Sequence, residues 1–171
     1  MLRFFTLLRN SFLYWLRKDG QGDKRVAEGV EDTGFDWVEF EALLRAQLGK
    51  LYRFGAEVRM DDPDPKEWDC SELVEWIFAQ FGIKVPDGSW KQYEASYPIT
   101  KEEARLGDLA FFKRKGADRT HHVGIVLDGE NMIEARGEPY MRVILRPRKI
   151  WEKWQDFAGY RRLVCMRDKG E

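Results

Sequence analysis

Two side-chain types in this chain suit covalent catalysis at neutral pH, and both are scarce: the cysteines Cys70 and Cys165, and the neighbouring histidines His121 and His122. A thiol becomes a working nucleophile when a base takes its proton, and the base works best when a third group fixes its orientation. Cys70 follows Asp69, a good helix N-cap, and opens a stretch in which Cys70, Leu73, Val74, Ile77 and Phe81 share one helical face, with Gly82 after the end. A thiol in the first turn of a helix lies at the positive end of the helix dipole, which favours the thiolate. The other reading is a small buried hydrophobe, since Cys70 lies on the apolar face.

The stretch His122-Val123-Gly124-Ile125-Val126 has the character of a strand on which His122, Gly124 and Val126 share one face. A glycine beside the histidine is expected to leave open space above the ring for a substrate backbone. His121 falls on the opposite face or in the preceding loop and is expected to be an exposed bystander. The segment Val126 to Glu130 reads as a three-residue hairpin loop with Gly129 in the left-handed conformation. Pairing Val126 with Glu130 then sets His122 opposite Glu134, where the carboxylate would hold the ring and stabilise the imidazolium. A slip of one residue would send Glu134 to the other face, and an exposed strand-end glutamate is the alternative.

The elements that must position these groups follow from periodicity. Asp36 caps a helix with Glu39 three residues on, and Phe40, Leu43, Leu44, Gln47 and Leu48 follow at helical spacing before Gly49. Residues 61–66, with Pro63 and Pro65, form a loop. Beyond the Cys70 helix the period becomes two, predicting strands over 109–112, 122–127, 132–135, 143–145 and 160–165. Helices first and strands second give an α+β fold with an antiparallel sheet. Cys165 is expected to be a packing residue of the last strand.

Composition narrows the function classes. The 171 residues suit one domain of ordinary size, and 29 basic against 30 acidic residues leave no global basic field for nucleic acid. Two cysteines without a C-x-x-C pair, and two histidines, give no zinc ligand set, so no metal and no cofactor are expected. Residues 1–18 are apolar and carry Arg3, Arg9, Arg17 and Lys18 without an acid. Arg9 and Asn10 would sit mid-span, so no membrane-spanning segment is expected, and no small-x-small site follows for secretory cleavage. The segment reads as a helix for assembly or surface docking, 19–35 as a linker, and 36–171 as the working domain.

In that domain Gly49-Lys50-Leu51-Tyr52, Asp69-Cys70-Ser71, Gly107-Asp108-Leu109-Ala110-Phe111-Phe112, His122-Val123-Gly124-Ile125 and Glu134-Ala135 occur in fixed order. This series resembles the NlpC family of papain-like cell-wall cysteine peptidases, over roughly residues 36–164. The resemblance implies a cysteine-bearing helix packed on an antiparallel sheet that carries the histidine. It implies hydrolysis of peptidoglycan stem peptides, typically between D-γ-glutamate and a diamino acid, with Cys70, His122 and Glu134 catalytic. It also implies that Tyr52 lines the site beside the oxyanion and that Asp69 and Ser71 contact the substrate's amino end.

Two positions depart from the family pattern: Glu72 stands where glycine is usual, and Glu134 where histidine is common. By analogy with tailed-phage particles, the domain is expected at a virion tail tip, with residues 1–18 docking onto neighbouring tail proteins; a secreted or cell-envelope location is the alternative. A non-catalytic structural or wall-binding module is the competing function. An acyltransferase or amidase on this scaffold is disfavoured because related lipid acyltransferases place histidine before cysteine, and a thiol oxidoreductase because no second cysteine is near in sequence.

Overall fold

The computed structural model describes residues 35–166 of the chain. The expected docking helix over 1–18 and nearly all of the expected linker lie outside the described residues. Among the described residues no helix is long and apolar enough to cross a membrane.

The first helix, α1 (Trp37–Arg45), starts where Asp36 accepts a hydrogen bond from the Glu39 amide at 2.9 Å. It ends before Gly49, whose φ of 83° needs a residue without a Cβ penalty. Phe35, placed by sequence in the linker, instead packs against Trp37, Phe40 and Phe81.

The second helix, α2 (Cys70–Ala79), is buried on more than the one face its periodicity marks. Leu73, Val74 and Ile77 are joined by Trp76 and Phe78, all at most 1% exposed. Fully burying such an aliphatic or aromatic side chain contributes about 1.5–3 kcal/mol, so this helix is a main stabilising element. Trp76 stacks near Trp68 at 5.2 Å and donates its indole N–H to the Asp62 carbonyl at 3.0 Å, tying the proline-rich loop to the helix. Phe81 lies past the helix end and still packs on the core.

The sheet has eight strands: β1 (Leu51–Tyr52), β2 (Glu67–Trp68), β3 (Ser96–Ile99), β4 (Leu109–Phe112), β5 (His122–Val126), β6 (Asn131–Arg136), β7 (Arg142–Pro147) and β8 (Phe157–Leu163). Their order is β2-β1-β7-β6-β5-β4-β8-β3, antiparallel throughout except for the parallel β1–β2 pair at one edge. Two short helices, α3 (Ser89–Glu94) and α4 (Arg148–Trp151), and a single 3-10 turn over Val164–Met166 complete the described elements. The architecture is α+β and papain-like.

Strands β4 and β5 are buried along their whole length because both sheet faces are covered. Leu109, Phe111, Val123, Ile125, Ile133 and Val143 meet α2 on one face, while Ala110, Phe112, Val126, Met132, Trp151 and Tyr160 pack on the other. Asp108 locks the Gly107-Asp108 corner by taking Arg162 at 2.8 and 2.9 Å and the Arg105 amide at 2.8 Å. Gly107 itself has φ 87°, and a Cβ there would come within 2.8 Å of the Trp37 ring.

Three expectations change. The last strand ends at Leu163, and Cys165 lies exposed in the following turn, so it is not a packing residue. Gly129 is absent from the residues with positive φ, and the hairpin loop is longer than expected. Asp128 causes this: its carboxylate accepts the Glu130 and Asn131 amides at 2.8 and 2.7 Å, holding residues 127–130 out of the ladder. The observed register, Ile125 with Ile133 and Val126 with Met132, is therefore shifted by two residues from the expected one.

Candidate active site

Asp69 sets up the first part of the site. Its Oδ1 accepts the Ser71 amide at 2.8 Å and the Glu72 amide at 3.1 Å, fixing the start of α2. The Ser71 hydroxyl donates to the same oxygen at 2.8 Å, and Gln92 donates to the Ser71 carbonyl at 3.0 Å. Cys70 is thereby held at the first helical position, 7% exposed, where its amide has no intrahelical acceptor and can serve an oxyanion.

His122 begins β5, 5% exposed, with its ring 5.4 Å from that of Phe112. Its Nε2 lies 2.6 Å from Glu134, which is fully buried on β6. Cys70 lies near enough for its charge to act on the same ring, and with Nε2 taken by Glu134 the nitrogen left for the thiol is Nδ1. Burial pushes the imidazole pKa down, but Cys70, and after it Glu134, outweigh it and raise the pKa to about 9. The arrangement supports an imidazolium donating from Nδ1 to Cys70 and from Nε2 to Glu134.

The two-residue register shift did not separate His122 from Glu134, because a shift of two keeps side chains on the same sheet face. The expected open space beside Gly124 is not there. A Cβ on Gly124 would collide with Met132 Cε and lie 3.3 Å from Glu134 Cβ, so glycine is what allows β6 to bring Glu134 this close. His121 is exposed in the preceding loop, its amide bonded to the Phe112 carbonyl at 2.9 Å.

Tyr52 on β1 faces this group. Its ring abuts Gly137, where a Cβ would approach within 3.2 Å. Burial, then the charges of Cys70 and Asp69, push the phenol pKa up to about 12, partly offset by Arg136. The phenol stays protonated and able to donate. Structure thus gathers Tyr52, Asp69, Cys70, Ser71, His122 and Glu134 into one region.

Sequence reasoning missed the acidic wall beside Asp69. Glu72 turns inward, 7% exposed, and accepts the Val58 amide at 3.0 Å. Burial, opposed by that amide and helped by Glu75, Asp87 and Asp69, raises its pKa to about 7. Glu72, Glu75 and Asp87 bring carboxylate oxygens within 4.8 Å of one another, a spacing that can hold a cation. With Asp69, Glu57 and Val58 they line a cleft of about 450 Å3. The departure from glycine at position 72 was a visible signal; Asp87 joins it only through the fold.

Comparison with known proteins agrees with this geometry. The profile of the NlpC/P60 family matches residues 49–158. A probable endopeptidase p60 of Listeria grayi is 35% identical over 92 residues, covering 54% of this chain and 16% of that protein. The peptidoglycan endopeptidase RipB of Mycobacterium tuberculosis is 39% identical over 70 residues, 41% of this chain and 28% of that protein. The matched stretch is a minor part of either relative's length. The crystal structure of an NLP/P60-family protein similar to lipoprotein, from Staphylococcus aureus subsp. aureus Mu50, aligns with a TM-score of 0.59 at 28% identity, covering 84% of this chain and 45% of that one. The structure of the peptidoglycan hydrolase RipB aligns with a TM-score of 0.57 at 25% identity, covering 88% and 76%. Carrying the family's profile over most of its length and its fold around the Cys70 helix, the chain belongs to the NlpC/P60 family.

Proposed function

We propose that the domain is a cysteine endopeptidase that cleaves peptidoglycan stem peptides between a D-γ-glutamyl residue and a diamino acid. The observation that carries this reading is the buried His122–Glu134 pair beside Cys70, the first residue of α2. The Cys70 thiolate attacks the γ-carbonyl, and the Cys70 amide and Tyr52 hydroxyl donate to the oxyanion. His122 gives its proton to the leaving amine, and the acyl group remains on sulfur as a thioester. His122, now neutral, takes a proton from water, which attacks the thioester and releases the γ-carboxylic acid and the thiolate. Glu134 holds the ring throughout and balances its positive charge. Asp69, kept in place by Ser71, receives the substrate's amino end.

The site of action is the bacterial cell wall. Placement at a phage tail tip rests on the apolar, basic residues 1–18 and is part of the proposal. Digesting purified peptidoglycan and identifying the fragments by mass spectrometry tests the reaction. New D-γ-glutamyl carboxylates paired with free diamino-acid amines are expected. Binding to the wall without any fragment would favour the non-catalytic module.

A further inference from the structure

We propose that Arg136 recognises a carboxylate of the stem peptide beside the scissile bond; this rests on the peptidase reading above. Arg136 lies two residues past Glu134 on β6, on the same sheet face and about 7 Å along the strand. The next residue, Gly137, carries the Tyr52 ring against it, so Arg136 stands where the site opens. Its charge reaches the site, where it opposes the rise that burial and the Cys70 and Asp69 charges impose on the Tyr52 phenol.

The side chain is held, and among the described residues none of its N–H groups has a hydrogen-bond partner. The guanidinium packs 4.7 Å from the Trp151 ring centroid and 5.0 Å from that of Trp154. Cation–π packing of this kind engages the charge without taking up the N–H donors. Among the described residues no carboxylate pairs with it. The β6–β7 register sets Arg136 directly opposite Arg142, which also lacks an acidic partner among the described residues. Like charges facing each other across a ladder are unfavourable, and an incoming anion relieves them. The site therefore has an acidic end, the cleft lined by Asp69, Glu72 and Glu75, and a cation, Arg136, on the sheet face that carries Glu134. A peptide with its free amine at the acidic end and a carboxylate near the reacting carbonyl matches both.

A stem tripeptide that ends in lysine has two such carboxylates: the α-carboxylate of the γ-linked glutamate and the α-carboxylate of the lysine. Three stem peptides separate them: the parent, one with the glutamate α-carboxylate amidated, and one with the diamino-acid α-carboxylate amidated. Each is assayed with wild type, Arg136→Gln and Arg136→Lys, with folding checked by circular dichroism. Amidating the recognised carboxylate should raise the wild-type KM about tenfold to a hundredfold, with a smaller change in kcat. In Arg136→Gln the ratio of parent to amide should fall to about one for that carboxylate, and Arg136→Lys should keep part of it. An equal loss on all three peptides, or no wild-type preference, overturns the proposal. Should wild type cleave none of them, the peptidase reading fails. Calorimetric binding of the same peptides to Cys70→Ala and to Cys70→Ala/Arg136→Gln then decides for Arg136: a carboxylate preference lost with the arginine supports it, and no preference overturns it.

Discussion

His122 and Glu134 meet as diagonal neighbours across β5 and β6, Nε2 to carboxylate at 2.6 Å, with Gly124 opposite the glutamate. Diagonal pairs of this kind stay within reach when one partner is a long side chain and nothing stands between them.

Glu134→Gln should keep an oxygen for the ring N–H but lose the charge that favours imidazolium. It would also place a buried amide where Oε1 has no partner among the described residues. Activity on a stem peptide should fall about tenfold to a hundredfold, and further, on the order of 10²–10³, for Glu134→Ala. Equal activity of wild type and Glu134→Ala, measured as kcat/KM, would remove Glu134 from the mechanism.

The pH dependence has a defined sign. The folded pKa of His122, about 9, lies above its ordinary 6.5, so the stabilisation from charged His122 is full below about 6.5. It is lost as pH rises through about 9. Urea midpoints should therefore decline between pH 7 and 10, and kcat/KM should have its alkaline limb near 9. In Glu134→Gln both changes should move to lower pH, because one of the contributions that raise the value is gone. An alkaline limb unmoved by Glu134→Gln would contradict the assignment.

Much of this site was legible in the sequence, for physical reasons that differ by residue. Asp36 and Asp69 announced their helices because capping is a local interaction, and the observed bonds to the Glu39, Ser71 and Glu72 amides are the expected ones. Glu134 was found although the hairpin register was wrong, since sheet faces depend only on whether the shift is odd or even. The loop length was misread because Asp128 bonds its own following amides, which turn composition alone did not separate from a shorter loop. The parallel pairing of Leu51 with Glu67, the Arg162–Asp108 ion pair and the stacking of Arg136 on Trp151 and Trp154 join distant segments. No local pattern encodes those contacts.

Gly124→Ala tests what the glycine does. The new methyl collides with Met132 Cε, which is flexible and can move, but it also crowds Glu134 Cβ at 3.3 Å and the Ile133 carbonyl at 3.3 Å. Overpacking of this kind costs about 1–3 kcal/mol. Activity should fall by more than the stability loss explains, because Glu134 is pushed from His122. Combining it with Met132→Ala should recover part of the melting temperature but little of the activity. Full recovery of activity in the double variant would show that Glu134 had not moved.

Glu72→Gln bears on the acidic wall. The Glu72 pKa of about 7 exceeds its ordinary 4.5, so the folded state binds the proton more tightly and loses stability as pH rises through about 7. Glutamine keeps an acceptor for the Val58 amide and removes the buried charge. The variant should be more stable than wild type at pH 8, on the order of 1 kcal/mol, and equal to it near pH 4. Denaturant curves at the two pH values measure this, and a difference that does not depend on pH would contradict it.

The most direct test of the account is whether the acyl group of a cleaved stem peptide passes through Cys70. Wild type, Cys70→Ala and Cys165→Ala are each mixed with a defined D-γ-glutamyl–diamino acid peptide, acid-quenched early, and examined by peptide-mapped mass spectrometry. Wild type and Cys165→Ala should release the free diamino-acid amine at similar rates and carry the acyl fragment as a thioester on Cys70, while Cys70→Ala does neither. Undiminished cleavage by folded Cys70→Ala would contradict the account.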